Sequence, residues 1–126
     1  MPLVTFTLLK GQPAALKTKL GQAVNLALEN AGIPKADRFQ RFLELDHENF
    51  NYDLYYPGLA EPRTDRFVLI EILFSVGRSV KIKQKILHDM LEHLQAAGIS
   101  SNDIMVSFQE TAWENWSFAN GHILHK

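Results

Sequence analysis

Two stretches carry closely spaced β-branched and aromatic residues, LVTFTLL at 3–9 and FVLIEILF at 67–74, and each predicts a strand. Behind each, the apolar period lengthens. Leu16, Leu20, Val24, Ala27, Leu28 and Ala31 recur at helical spacing after the first run, and Ile82, Ile86, Met90, Leu94 and Ala97 after the second. Pro13 suits a first helical turn. Gly32 and Gly98 stand where a helix is commonly stopped by a residue that tolerates positive φ. A further strand is predicted after each stop, over 39–45 and 104–110.

The two halves are in register. AGIPKAD at 31–37 matches AGISSND at 97–103, an offset of 66 positions that also carries Leu16 onto Ile82, Val24 onto Met90 and Gly11 onto Gly77. One domain over 1–126 is expected, built from a duplicated strand–helix–strand unit at about 2–46 and 66–111, with a connecting loop at 47–65. Crossovers between parallel strands are nearly always right-handed, so each unit carries its helix on one face. The predicted fold class is α+β, a four-stranded sheet with both helices on one side. Leu3, Phe6, Leu8, Phe42, Leu69 and Phe108 make the strands too apolar for a solvated face, which predicts another subunit against the bare side. The joining segment, DHENFNYDLYYPGLAEPRT, reads as a long loop with room for a short hairpin, and loops of this length are usually functional. The tail from Thr111 carries Trp113, Trp116 and Phe118 without strong periodicity. Loop and tail could wall a pocket or pack on neighbouring subunits.

Composition then narrows the function. Of 126 residues, 46% are hydrophobic and 21% charged, as in ordinary globular proteins. Thirteen Lys+Arg against fourteen Asp+Glu give a net charge of −1, with no basic excess to hold nucleic acid. The absence of cysteine excludes disulfides, zinc–thiolate sites and thiol nucleophiles. The longest apolar stretch, 67–74, contains Glu71 and falls far short of the ~20 residues of a membrane span. No basic start or apolar signal core opens the chain, so a cytoplasmic location is expected.

Three residues carry candidate chemistry. Pro2 has no amide hydrogen inside a chain, but removal of Met1 would free its ring nitrogen as a secondary amine. An α-amino group titrates near ~7.7–8.0. Apolar burial would lower that value and make a general base, whereas a neighbouring carboxylate would hold a cation suited to a developing enolate. Position alone equally describes a strand's first residue. Asp37, in PKADRFQ, has the repeat mate Asp103, which suggests a turn residue leading into each strand. A carboxylate there could also orient water or shuttle a proton. Arg38 beside it reads as a surface or interface charge. Arg78, in FSVGRSVK, falls in the loop between the third strand and the second helix, at the kind of sheet-end crevice where α/β proteins bind ligands. Its guanidinium could grip a carboxylate bidentately, and Ser79 could cap the helix behind it. The plainer reading is a solvated arginine at a helix start, where the dipole does not favour it.

The histidines define no metal site. His88 and His93 are five apart, DMLEH lacks the HExxH pattern, His47 stands alone, and His122 and His125 fall in the tail. Lys81, Lys83 and Lys85 read as a helix's wet face. Neither a glycine-rich phosphate loop nor a GxSxG nucleophile turn is present.

The MPL start, the GIPKADRFQ segment, the GRS helix entrance and WSFANG near the end occur in this order. Together they resemble the tautomerase superfamily, the group of 4-oxalocrotonate tautomerase and macrophage migration inhibitory factor, and most of all its malonate semialdehyde decarboxylase branch. The resemblance implies Pro2 as catalytic amine, Asp37 as the carboxylate that activates water or assists proton transfer, and Arg78 as the substrate-carboxylate binder. Trp116 and Phe118 become apolar pocket walls. It also implies a homotrimer with sheets packed around a central axis, a small organic-acid substrate, and no cofactor or metal. One departure stands out. The decarboxylase pattern has two arginines separated by one residue, and here Val76 occupies the first position, so that Arg63 or Arg66 of the long loop would have to substitute or the substrate would differ. The reading from another class is a non-catalytic binding module on the same scaffold, with an occluded amine.

Overall fold

The alternation of the first apolar run becomes strand β1 (Leu3–Leu9), and the lengthened period behind it becomes helix α1 (Ala14–Asn30). The computed structural model describes residues 2–123, so Met1 and its removal, like His125, lie outside the described residues. Strand β2 (Phe39–Leu45) completes the first unit. Strand β3 (Val68–Ser75), helix α2 (Val80–Ala96) and strand β4 (Ile104–Thr111) repeat the order. Short 3₁₀ turns at His47–Asn49, Ser101–Asp103 and Trp113–Asn115 fill the joints.

The sheet order is β2-β1-β3-β4. β1 runs parallel to β2 and β3 parallel to β4, as the crossovers require, while β1 and β3 pair antiparallel at the centre. Two units therefore meet back to front in one mixed sheet. Both helices lie on one side and run antiparallel: the Lys19 ammonium donates to the Ala97 carbonyl (3.3 Å) at one end, and that of Lys85 to the Asn30 carbonyl (3.4 Å) at the other.

Strand alternation fixes the core. Val4, Phe6 and Leu8 of β1 and Val68, Ile70, Ile72 and Phe74 of β3 point at the helices and are buried, against Leu20, Val24, Ile86, Met90 and Leu94. Phe6 stacks on Phe42 with centroids 4.6 Å apart, and Phe74 on Phe108 at 5.7 Å. Of the six residues taken as too apolar for a solvated face, Phe6, Leu8, Phe42 and Phe108 thus belong to the helix layer. Only Leu3 and Leu69 have the opposite parity. The bare side is instead supplied by Phe39, Leu43, Leu73 and Met105, of which Phe39 and Met105 are about half exposed.

Other expectations shift in detail. Pro13 is the N-cap, in extended conformation, rather than the first helical residue. Gly32 (φ 96°) and Gly98 (φ 86°) take the left-handed conformation just past each helix, where a Cβ would be strained. Ile82 matches Leu16 in the repeat, yet it is exposed while Leu16 is buried. It sits in the first turn of α2 beside the exposed Val80, whereas Leu16 packs in the core.

The 46–67 segment forms no strand, so the hairpin is absent. It is pinned instead by side chains. Asp103, buried at the entrance to β4, accepts from the Thr64 amide and the Thr64 hydroxyl, both at 2.8 Å. Tyr52 Oη donates to the Thr64 carbonyl (2.7 Å), and Asn102 to that of Glu61 (3.0 Å). Among the described residues, no helix is long and apolar enough to cross a membrane.

Candidate active site

Antiparallel pairing of β1 with β3 brings the start of β1 to the end of β3, and parallel pairing brings the start of β2 and the end of β4 to the same edge. Leu3 faces Phe39 on one side and Leu73 on the other. One step back along β1, continued register sets Pro2 between Arg38 and Phe74. Alternation gives Pro2 the same face as Val4 and Phe6, and Pro2 is buried.

Phe74, opposite Pro2 in the continued register, carries Arg78 over its ring. The loop after β3 turns at Gly77, whose φ of 118° suits glycine alone. The turn sends the Arg78 side chain back over the sheet edge, with Cζ 4.6 Å from the Phe74 ring centroid and Nη1 donating to the Ser75 carbonyl at 3.0 Å. Burial pulls the guanidinium below its ordinary pKa, while the carboxylates of Glu110 and Asp37 act in the opposite direction. Arginine remains charged throughout. Asp37, two residues before β2, is therefore within electrostatic reach of Arg78. Glu110 is also paired with Lys83 (2.7 Å), which offsets its charge. Ser79 caps α2 as its sequence suggests, its hydroxyl accepting from the Ile82 amide at 3.2 Å. Arg38 turns away toward Gln40.

The tail closes over this edge. Val76 donates its amide to the Thr111 carbonyl (2.9 Å) and accepts from the Trp113 indole (3.1 Å), so its backbone is held while its side chain stays 43% exposed beside Arg78. Trp116 stacks on Phe118 (5.8 Å, 10°), and Phe118 lies 5.6 Å from Phe39 at the start of β2. The structure thus brings Pro2, Asp37 and Arg78 to one end of the sheet, and sets Trp116 and Phe118 at the same end against Phe39, whose side chain faces the helix-free side. Phe74, Phe39 and Glu110 share that end without having been singled out, and Trp113 of the tail joins them. Phe74 had a partial signal, as the last residue of a predicted strand run, but its place opposite Pro2 had none, and neither had Glu110.

Arg63 and Arg66 do not join this edge within one chain. They precede β3, whose eight residues span roughly 23 Å from first to last. Arg63 lies over the Phe67 ring (5.5 Å) and donates to the Asp53 carbonyl (2.7 Å). It lines a cleft of about 260 Å³ with Tyr52, Tyr56, Phe67, Leu69 and Met105. Away from both places, His88, Asp89 and Glu92 bring ligand atoms within 4.8 Å on an outer face of α2. There Lys85 already engages Asp89 at 2.9 Å, and a cation would have to compete with its ammonium.

A four-stranded mixed sheet with two helices on one side and a proline, an arginine and a carboxylate at one sheet edge defines a class, and the comparisons agree with it. Residues 37–119 match the family described as tautomerase enzyme, and the chain belongs to that family. Over 123 residues it is 32% identical to the probable tautomerase YrdN of Bacillus subtilis (strain 168), covering 96% of this chain and 93% of that protein. Among solved structures, FG41 malonate semialdehyde decarboxylase inhibited by 3-bromopropiolate superposes with a TM-score of 0.87 at 26% identity, over 96% of this chain and 92% of that one. A malonate semialdehyde decarboxylase whose structures were related to decarboxylase and hydratase activities gives 0.87 at 27% identity, over 96% and 93%. A fused 4-OT symmetric trimer, 20% identical over 96% and 94%, shares the fold with a TM-score of 0.74.

Proposed function

We propose that this tautomerase-family enzyme uses the nitrogen of Pro2, freed by removal of Met1, to act on small 2-oxo or 3-oxo acids. What supports the reading is the meeting of Pro2 and Arg78 at Phe74, with Asp37 in electrostatic range of the guanidinium. Arg78 binds the substrate carboxylate as a charge-assisted pair. Its positive charge favours the neutral form of the neighbouring amine, and the negative charge of Asp37 favours the cation. The balance between them sets which chemistry Pro2 performs.

In keto–enol tautomerisation the neutral amine takes the enol proton and the resulting ammonium returns it to carbon, so one proton changes position and none is consumed. In the decarboxylation of a 3-oxo acid the ammonium hydrogen-bonds the carbonyl, the bond to the carboxylate carbon breaks, carbon dioxide leaves, the enolate takes its proton from the Pro2 ammonium, and the amine regains one from solvent. In hydration, Asp37 orients water toward the substrate. Val76, two residues before Arg78, and the turn of Arg38 toward Gln40 leave Arg78 as the guanidinium offered to substrate, which favours tautomerisation of an acid with a single carboxylate. The high TM-scores to two malonate semialdehyde decarboxylases favour decarboxylation and hydration as the second reading. Trp116 and Phe118 supply apolar walls that exclude water around the reacting carbons.

The apolar side chains on the bare sheet face support a homotrimer, in which that face packs around a closed three-fold axis. The alternative is a binding module on the same scaffold, with its amine blocked. Wild type and Pro2→Ala are compared on phenylpyruvate enol and on malonate semialdehyde, with intact mass recorded for both proteins. Loss of Met1 together with a rate collapse in Pro2→Ala is expected. Retained Met1 would leave the binding module, and equal rates in the two proteins would remove Pro2 from the mechanism.

A further inference from the structure

The helix-free face of the sheet is crossed by one polar row. Register aligns Arg41 of β2, Thr5 of β1, Glu71 of β3 and Ser107 of β4. The flanking rows carry no charge and are mostly apolar, Phe39, Leu3 and Leu73 with Gln109 on one side and Leu43, Leu69 and Met105 with Thr7 on the other. In this row a full cation and a full anion stand two strands apart, roughly 10 Å at the ordinary strand spacing, with Thr5 between them. Each has a neutral partner: Arg41 Nε donates to Thr5 Oγ1 (2.9 Å), and Glu71 Oε2 accepts from Gln109 Nε2 (3.1 Å). Neither makes an ion pair among the described residues. Both line the same small hollow with Leu3 and Leu73. While the face is open to water this arrangement costs little. Once a partner covers the face, a charge without a counter-charge costs several kcal/mol.

We propose that the occupant of this face is a second copy of the chain, set so that Arg41 of one subunit pairs with the partner subunit's Glu71 around a closed ring. The proposal rests on the trimer reading and deepens it by naming the contact that fixes how subunits meet. The row carries one charge of each sign near opposite sides of the sheet, so the face is complementary to itself. A head-to-tail contact satisfies both charges, Arg41 toward one neighbour and Glu71 toward the other. Such contacts close into rings when the rotation permits. The leucine rows on either side supply the apolar burial, and the charged row chooses the register, because sliding one subunit by a row would set each charge against leucine.

The test uses the full chain in sedimentation velocity at micromolar concentration. Wild type is compared with Arg41→Glu, with Glu71→Arg, with the doubly reversed protein, and with an equimolar mixture of the two single variants. The wild type is expected to be a trimer, each single reversal to weaken assembly at least about tenfold, and the double reversal to restore it. Mixing the single variants is expected to restore assembly in part, above either variant alone. In a mixed three-membered ring two of the three contacts become Glu against Arg, and a pair internal to one chain could not be repaired by mixing. A wild-type trimer whose single reversals assemble normally, or are rescued by neither route, overturns the pairing and leaves the trimer standing. A monomeric wild type overturns the trimer reading itself. If a reversal fails to fold by circular dichroism, Arg41→Gln, Glu71→Gln and their double variant carry the test. The pairing requires that the double loss fall well below the product of the single losses, and independent effects would overturn it.

Discussion

Replacing Arg78 with alanine separates binding from chemistry. The guanidinium rests on the Phe74 ring at 4.6 Å and keeps one bond to the Ser75 carbonyl, so its fork is already oriented before a ligand arrives. A charge-assisted pair to a carboxylate contributes about 1.5–3 kcal/mol net. Because 1.4 kcal/mol is tenfold, its loss raises KM by roughly 10–150-fold. The carboxylate charge is unchanged during tautomerisation, so the contact is nearly equal in ground and transition states, and kcat is expected to move far less than KM. Folding loses the cation–π contact, about 0.5–2 kcal/mol, and one hydrogen bond, so a modestly lower Tm accompanies the change. Arg78→Lys keeps the charge without the planar fork and falls between the two. The assay follows ketonisation of phenylpyruvate enol by ultraviolet absorbance across substrate concentration, with melting curves on the same samples. A natively folded Arg78→Ala with an unchanged KM would refute the reasoning.

Two further expectations concern the long loop. Asp103→Ala removes the buried carboxylate that holds the exposed Thr64 by its amide and hydroxyl, and losing these charge-assisted bonds is expected to cost about 1.5–3 kcal/mol; chemical denaturation measures it, and a change within error would contradict the anchoring role. The Asp53 carboxylate accepts from the amides of Tyr55 (2.9 Å) and Tyr56 (2.6 Å), bonds that hold its pKa below the ordinary carboxylate range. A depressed folded-state pKa means that its contribution is complete above the unfolded value near ~3.9 and is lost as pH falls through the lower folded value. Hydrogen exchange at Tyr55 and Tyr56, corrected for intrinsic pH dependence, should lose protection only in that acid window; protection lost already near neutral pH would contradict it.

The fold was legible because it is written twice. The 66-residue offset aligned both helices and both stops, and strand alternation set the sheet. It could not say which apolar residues face which layer. Phe6 and Phe42 lie on adjacent strands at the same parity, and only the observed register turns both toward the helices. The matched aspartates show the limit of repeat logic. Asp103 is committed to Thr64 and the long loop, whereas Asp37 is within reach of Arg78, and the matched motifs gave no sign of the divergence. The site's members were named from a resemblance. Their meeting place, Phe74, needed the antiparallel pairing of β1 with β3, which joins two halves that no local pattern connects. Within one chain Arg63 lies at the other end of β3 from Arg78, although the two flank that strand in sequence.

The central claim is that Pro2 carries a free, titratable amine beside Arg78. Nitrogen NMR of protein labelled with ¹⁵N-proline reads it directly, with and without a bound unreactive carboxylic acid. Expected is a secondary-amine resonance that titrates within a few units of the ordinary α-amino value near ~7.7–8.0, with a midpoint that rises when a carboxylate neutralises Arg78. A Pro2 nitrogen that behaves as an amide at every pH, or an amine whose midpoint ignores the bound acid, would contradict it.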